Sequence, residues 1–164
     1  MNIKKVCFTA FMSCLSFLLS TFVSFPFVVP FQHFFNVICA VLVGPVYAFL
    51  SALLTGCMRM LLTGRPVTAV IGAVIGALLA GIFYQITKNM LLAVAGEILG
   101  TGLLSAIASY YVMYYGFGVE QLDSPFYYIP LFMPACIVGA LLGYVALLSM
   151  RKSGSLVKLQ EMLK

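Results

Sequence analysis

The stretch 66–87 reads PVTAVIGAVIGALLAGIFYQIT and carries no charged residue over 22 positions. An α-helix rises about 1.5 Å per residue, so this stretch is long enough to cross the roughly 30 Å hydrocarbon core of a bilayer. Pro66 suits the first turn of a helix, because its missing N–H would have no partner there. Gly72, Gly76 and Ala80 recur at every fourth position, a pattern typical of helices that pack closely in membranes. The stretch therefore predicts a membrane-spanning helix within a tight bundle.

Five further apolar stretches accompany this one and predict an all-α membrane protein. Hydrophobic residues make up 63% of the chain and charged residues 8%, which is well outside the range of soluble domains. The six predicted helices cover approximately Val6–Phe25, Gln32–Val43, Val46–Leu62, Pro66–Thr87, Met90–Tyr115 and Phe126–Met150. We expect residues 1–150 to form a six-helix transmembrane domain and residues 151–164 to form a basic cytoplasmic tail. Leu156, Leu159 and Leu163 stand at helical spacing in that tail, which favours a helix lying along the membrane surface.

The distribution of positive charge predicts how the bundle is oriented. Cytoplasmic loops of membrane proteins carry an excess of Lys and Arg. With both termini in the cytoplasm, seven of the nine basic residues lie inside, and the loop of Glu120 and Asp123 lies outside. Arg65 is the one basic residue clearly on the outer side. The net charge of +5 therefore indicates a lipid bilayer and no nucleic-acid partner, since a nucleic-acid binder would show a basic patch on a recognisable fold.

The five cysteines do not predict a metal site. They are scattered through apolar stretches without a CxxC pair and without a histidine at zinc spacing. We interpret them as small packing residues. They are Cys7, Cys14, Cys39, Cys57 and Cys136.

Three strongly polar side chains lie inside or at the ends of the apolar stretches: His33, Arg59 and Glu97. An ionised side chain near the middle of a membrane costs roughly 2.5–3.5 kcal/mol on insertion scales. Such groups are rare in spanning helices and usually mark a functional site. These three residues are therefore the first candidates for such a site.

The run 30–36, PFQHFFN, is the most informative of the chain. His33 and Asn36 are three residues apart and so are neighbours on one helical face, with aromatic residues around them. Apolar walls with a few hydrogen-bonding groups are typical of a pocket for a small ring compound. The alternative is that His33 and Asn36 only cap and anchor a short helix.

A face of small residues on the first helix allows two interpretations. Thr9, Ala10, Ser13 and Cys14 lie on one side of the predicted helix. Small side chains let helix backbones approach closely, either within the bundle or against another protein. Spacing alone leaves both internal packing and partner docking open.

Several motifs together closely resemble the ThiW family, in order and in register over about residues 4–150. They are Pro30-Phe-Gln-His33-x-x-Asn36-x-x-x-Ala40-Val-Leu-x-Gly44-Pro45-x-Tyr47-Ala48, then Arg59, Ile75-Gly-Ala-Leu-Leu-Ala-Gly81 and Gly96-Glu97-x-x-Gly100-Thr101-Gly102. The family comprises substrate-binding S components of energy-coupling-factor (ECF) transporters, associated with hydroxyethylthiazole, a precursor of thiamine. The chain departs from the family before its fourth helix, where a Pro-Gly-Ser element is replaced by Pro66-Val-Thr-Ala69.

The resemblance implies a six-helix S component of a bacterial cytoplasmic membrane, with both termini inside. It would capture hydroxyethylthiazole from outside and associate with a transmembrane T subunit and two ABC-type ATPases. ATP would be used by those ATPases, because this chain has no GxxxxGK[ST] motif. The chain itself would be neither an enzyme nor the carrier of a cofactor. The loop bracketed by Pro26 and Pro30 would act as a lid, and Ala10-x-x-x-Cys14 would correspond to the family's docking face.

We hypothesise hydrogen-bonding roles for the polar residues of these motifs. His33 and Asn36 would bond the thiazole nitrogen or the hydroxyl group, with Gln32 nearby. Glu97 and Thr101 are four residues apart and share a face, so one would accept from the hydroxyl and the other would orient it.

The remaining candidate residues are one arginine and three aromatic residues. Arg59 would either pair with Glu97, so that the two charges compensate each other, or contact the ligand. Phe31, Phe34 and Tyr84 would stack on the ligand ring.

Other functions have weaker support in the sequence. An intramembrane enzyme would need a nucleophile paired with a base, and no Gly-x-Ser-x-Gly or His-Glu-x-x-His motif is present. A secondary transporter usually shows internal repeats with breaks in both halves, whereas the breaks at Pro26, Pro30 and Pro45 lie in one half. An S component for another small vitamin or precursor remains the alternative ligand assignment.

Overall fold

The computed structural model describes residues 2–23 and 29–164, and within them every regular element is a helix. Five helices are long and apolar enough to cross a membrane, and a sixth apolar helix is shorter. The predicted all-helical membrane bundle is therefore confirmed. The helices are α1 (Ile3–Phe22), α2 (Pro30–Leu42), α3 (Pro45–Thr63), α4 (Thr68–Thr87), α5 (Met90–Gly116), α6 (Ile129–Lys152) and α7 (Ser155–Met162).

Prolines and glycines set most of the helix boundaries. α2 and α3 each begin at a proline, and Gly44 before α3 has a φ of 90°, a backbone conformation that favours glycine. α4 begins at Thr68 because Pro66 and Val67 form a turn, in which Ala69 N donates to Pro66 O. The predicted end of α1 at Phe25 and the proposed lid at Pro26 lie outside the described residues.

α5 is continuous but changes its hydrogen-bond register. Its first turns, Met90–Glu97, are α-helical, and the next turns, Ile98–Ser105, are π-helical. A π-helical segment inside an α-helix frequently accompanies a functional site. Here the wider turns begin directly after Glu97 and contain Thr101.

The small residues of α4 and α5 bring these helices into backbone contact. A Cβ atom added to Gly100 would lie 2.5 Å from Gly76 Cα, and one added to Gly96 would lie 2.8 Å from Leu79 O. A Cβ added to Gly76 would collide with Thr101 Oγ1. The glycines predicted to serve packing therefore do so, and they also make room for the polar groups of α5.

The tail packs against the bundle. α7 is present as predicted, but Leu156 and Leu163 are buried in the core of the bundle. Gln160 Nε2 donates to Val41 O at 3.0 Å, which fixes the tail to the end of α2. Asn2 Nδ2 donates to Lys164 O at 2.6 Å, so the two chain ends lie together at one end of the bundle.

Candidate ligand-binding site

A cavity of about 240 Å³ lies at the end of the bundle opposite the chain ends. Its walls come from α2, the α3–α4 turn, α4, α5 and the start of α6. Gln32, His33 and Thr101 supply polar groups to it, and Leu131 and Phe132 supply apolar surface. This combination of apolar wall and few polar groups is typical of a small-molecule site.

Glu97 lies behind this cavity at the centre of a hydrogen-bond network. Its side chain is completely buried. One carboxylate oxygen, Oε1, accepts from His33 Nδ1 at 2.9 Å, from Asn36 Nδ2 at 3.0 Å and from Thr101 Oγ1 at 3.1 Å. The other carboxylate oxygen, Oε2, is buried and has no hydrogen-bond partner among the described residues. We call these four residues the inner wall.

The network orients His33 towards the cavity. Because Nδ1 is engaged with Glu97, Nε2 is the nitrogen left for a ligand, and the described residues provide no hydrogen bond to it. In a neutral ring with its proton on Nδ1, Nε2 accepts a hydrogen bond, whereas in the imidazolium it donates one. His33 thus matches either a ligand hydroxyl or a ligand ring nitrogen.

Of the other residues of the inner wall, one lines the cavity and two hold the lining residues in place. Thr101 lines the cavity, and its hydroxyl oxygen keeps acceptor capacity while its proton goes to Glu97. Asn36 Nδ2 donates to Ala73 O at 3.2 Å as well as to Glu97, and neither Asn36 nor Glu97 lines the cavity. These two predicted ligand contacts therefore support the residues in front of them.

Arg59 pairs with Gln32, and the predicted pair of Arg59 with Glu97 is wrong. Arg59 Nη1 donates to Gln32 Oε1 in a short hydrogen bond. The carboxylate of Glu97 is hydrogen-bonded to His33 instead. Arg59 lies near the end of α3, at the outer part of the cavity. Gln32 Nε2 is left without a partner among the described residues, although Gln32 is only 2% exposed.

The three predicted aromatic contacts lie elsewhere. Phe31 and Phe34 pack edge to face at 6.4 Å on a side of α2 turned away from the cavity, and neither lines it. Tyr84 lies at the opposite end of the bundle, where its hydroxyl accepts from Gln160 Nε2 at 3.3 Å. Among the described residues, the aromatic side chain that lines the cavity is Phe132, whose ring packs over Gly72.

Several residues that line the cavity were not predicted from the sequence. For one of them, Arg65, the sequence did contain an indication. Arg65 was the single basic residue clearly on the outer side of the predicted topology, and it lines the cavity. Thr68 and Phe132 also line the cavity, and the sequence did not single them out. Phe132, for example, is one of 14 phenylalanines in a hydrophobic chain.

Comparison with protein families gives one result for most of the chain. The sequence model of the thiamine-precursor transporter protein (ThiW) family matches residues 6–153. The chain belongs to the ThiW family. Searches of the curated proteins and of the solved structures found no match. As a member of a transporter family with several spanning helices, the chain is a multi-pass membrane protein related to thiamine-precursor transport.

In this ThiW-family chain the small residues of α1 fall on two sides. Thr9 and Ser13 are buried, and Ser13 Oγ lies 3.1 Å from Ser51 Oγ of α3. These two residues serve internal packing and do not form a docking surface. Ala10 and Cys14 are exposed, so the predicted docking face is reduced to this pair.

The structure contains no disulfide among the five cysteines, all of which are free. Within residues 2–23 and 29–164, no group of three or more His, Cys, Asp or Glu side chains is arranged to hold a metal ion.

Proposed function

We propose that the chain is the substrate-binding S component of an ECF transporter and that it captures hydroxyethylthiazole from outside a bacterial cytoplasmic membrane. The observation that carries this proposal is the cavity of about 240 Å³ with His33 and Thr101 held in place by Glu97. Membership of a thiamine-precursor transporter family supports the class of ligand.

The chemistry of hydroxyethylthiazole suits this cavity. The ligand offers an aromatic ring, a ring nitrogen and a hydroxyl group. His33 Nε2 would bond the ring nitrogen or the hydroxyl, Thr101 would bond the other polar group, and Phe132 would contact the ring. With about nine non-hydrogen atoms and a ceiling near −1.5 kcal/mol per atom, nanomolar affinity is attainable if the ligand is almost fully buried.

The proposed orientation places six helices across the membrane with both termini inside. The contact between Asn2 and Lys164 supports this arrangement, since it puts both chain ends at one end of the bundle. The cavity lies at the other end and would then open towards the outside.

Transport would need partners, because the chain has a ligand cavity but no nucleotide-binding motif. We infer that a transmembrane T subunit and two ABC-type ATPases supply these functions and that ATP is used only there. The chain itself would need no cofactor. Ala10 and Cys14 on α1 would contact the T subunit, because small exposed side chains allow close helix contact.

The test is equilibrium binding of hydroxyethylthiazole to the detergent-purified chain without ATP, with thiamine and riboflavin as competitors. We expect tight binding that neither competitor matches. His33→Ala and Glu97→Gln should each weaken it by at least about tenfold, since one removes the ligand contact and the other its support. Glu161→Gln, at an exposed carboxylate of α7, is the matched control and should bind as the unmodified chain does. Unchanged binding in both site variants would rule out this site.

A further inference from the structure

A second cavity adjoins the first at the outer ends of α1 and α3. Its volume is about 350 Å³, and its lining includes Ser20, Thr21 and Thr63. Arg59 and Arg65 line both cavities, so the two spaces meet at these side chains. The family match and the proposed thiazole site leave this second cavity without a role.

The positive charge of the second cavity is not compensated by the protein. The four acidic residues of the chain, Glu97, Glu120, Asp123 and Glu161, line neither cavity. Among the described residues the one ion pair joins His33 to Glu97, so Arg59 and Arg65 have no carboxylate partner. Two guanidinium groups that face the same space repel each other unless an anion lies between them.

Unpartnered polar groups point to the same kind of ligand. Ser20 Oγ and Thr21 Oγ1 are buried without a hydrogen-bond partner in the part of the chain that the structure describes. Gln32 Nε2, beside Arg59 in the first cavity, is likewise buried without a hydrogen-bond partner among the described residues. Ser20 is 1% exposed and Gln32 is 2% exposed, so bulk water does not easily satisfy them. Each of these groups can donate a hydrogen bond, and an anion rich in oxygen atoms would accept them.

We propose that the second cavity binds a phosphate group, and that the two cavities together accept the phosphate monoester of a hydroxyalkyl heterocycle. The guanidinium group matches the geometry of phosphate through paired N–H donors. A phosphate monoester carries about −1.5 to −2 charges at neutral pH. As a ligand it therefore balances the charge of two arginines better than a ligand with a single carboxylate would. The heterocycle part rests on the proposed function, whereas the phosphate part rests on the second cavity and on Gln32, which lies beside Arg59 where the two cavities meet.

The experiment compares three ligands on the full chain in lipid-free detergent at low ionic strength. They are hydroxyethylthiazole, its phosphate monoester and inorganic phosphate, and binding is measured by calorimetry. We expect the monoester to bind at least about tenfold more tightly than the alcohol, because charge-assisted hydrogen bonds are the stronger ones. Inorganic phosphate should compete with the monoester, and added salt should reduce the advantage of the monoester.

Two variants locate the effect. Arg65→Gln and Ser20→Ala should each reduce the ratio of monoester affinity to alcohol affinity by at least about threefold, because each removes a donor from the second cavity. Arg65 is exposed, which makes its replacement compatible with folding, and circular dichroism checks both variants. Arg151→Gln, at the opposite end of the bundle, is the charge-matched control and should keep the full ratio.

The outcomes separate this inference from the proposed function. If the alcohol fails to bind while inorganic phosphate binds in an Arg65-dependent manner, the thiazole proposal fails and the phosphate site stands. If the alcohol binds and the monoester gains no affinity, the phosphate site is overturned. A lipid headgroup is tested with short-chain phosphatidylglycerol. In one outcome the phosphatidylglycerol binds in a manner that depends on Arg65 and Ser20 while the monoester binds no more tightly than the alcohol. That result would overturn the monoester assignment and assign the second cavity to a lipid phosphate.

Discussion

The inner wall of the cavity and its mouth use polar groups in opposite ways. In the inner wall, His33, Asn36 and Thr101 all donate to Glu97, whose Oε1 receives every one of these bonds. At the mouth, which we define as Gln32, Arg59 and Arg65, donors outnumber acceptors and no acidic side chain is present. The difference teaches that the inner wall is held mainly by contacts within the protein, although Glu97 Oε2 has no partner among the described residues, whereas the donors of the mouth are available to a ligand.

The largest expected effect comes from removing the acceptor of the inner wall. Glu97→Ala leaves three buried donors without their shared partner, and breaking a buried pair costs about 3–5 kcal/mol of the free energy of unfolding. Chemical unfolding in detergent measures this loss. Glu161→Ala removes an exposed carboxylate of α7 and should change the free energy by less than about 0.5 kcal/mol. Similar losses in both variants would contradict the distinction between the inner wall and the surface.

The inner wall was the part of the site that the sequence predicted best. His33 and Asn36 share a face of α2, and Glu97 and Thr101 share a face of α5, so their motifs already placed the polar groups in pairs. The lengths of the apolar stretches, and the prolines and glycines between them, also predicted the helices and most of their ends.

The mouth and the aromatic contacts were predicted poorly. Which residue meets Arg59, and whether Phe31 or Phe132 faces the cavity, depends on how each helix is rotated about its axis in the bundle. Apolar residues occur on all sides of these helices, since membrane lipid solvates the outside as readily as the core. Away from the few polar residues, hydrophobic periodicity therefore does not reveal that rotation. Tyr84 was misassigned for a different reason, because its position along α4 places it at the end of the bundle far from the ligand cavity.

The second prediction tests whether the inner wall depends on close helix packing. A Cβ atom at Gly76 would collide with Thr101 Oγ1 and lie 2.9 Å from Glu97 Oε2. Gly76→Ala should therefore lower the free energy of unfolding by about 1–3 kcal/mol, as overpacking does, and weaken ligand binding. Gly116→Ala is the matched control, since its Cβ would meet only Val112 Cγ1 at 3.9 Å. Equal stability of the two variants would show that α4 and α5 can separate without loss.

The third prediction separates ligand contact from support in the inner wall. Thr101→Val keeps the side-chain shape but removes the hydroxyl, while Glu97 retains two donors. Thiazole affinity should fall by about 0.5–1.5 kcal/mol, the net contribution of one hydrogen bond. Thr101→Ser should restore most of the affinity, because it returns the hydroxyl. Full affinity in Thr101→Val would assign Thr101 to support alone.

The fourth prediction concerns the aromatic wall. Phe132→Leu should weaken thiazole binding by about 0.5–1.5 kcal/mol, since an aromatic contact contributes that much beyond buried area. Phe31→Leu is the control, because Phe31 packs on Phe34 away from the cavity. A larger loss in Phe31→Leu than in Phe132→Leu would restore the aromatic assignment made from the sequence.

The smallest change in the free energy of unfolding is expected for a substitution at the mouth, and the direction of that change is informative. Arg65 is exposed and has no carboxylate partner among the described residues, so it contributes repulsion towards Arg59 and little attraction. Arg65→Gln should change the free energy of unfolding by less than about 0.5 kcal/mol, and the change should be stabilising at low ionic strength. Salt should remove the difference, because exposed charges are screened. Destabilisation comparable to that of Glu97→Ala would mean that the mouth, like the inner wall, is held together by the protein itself.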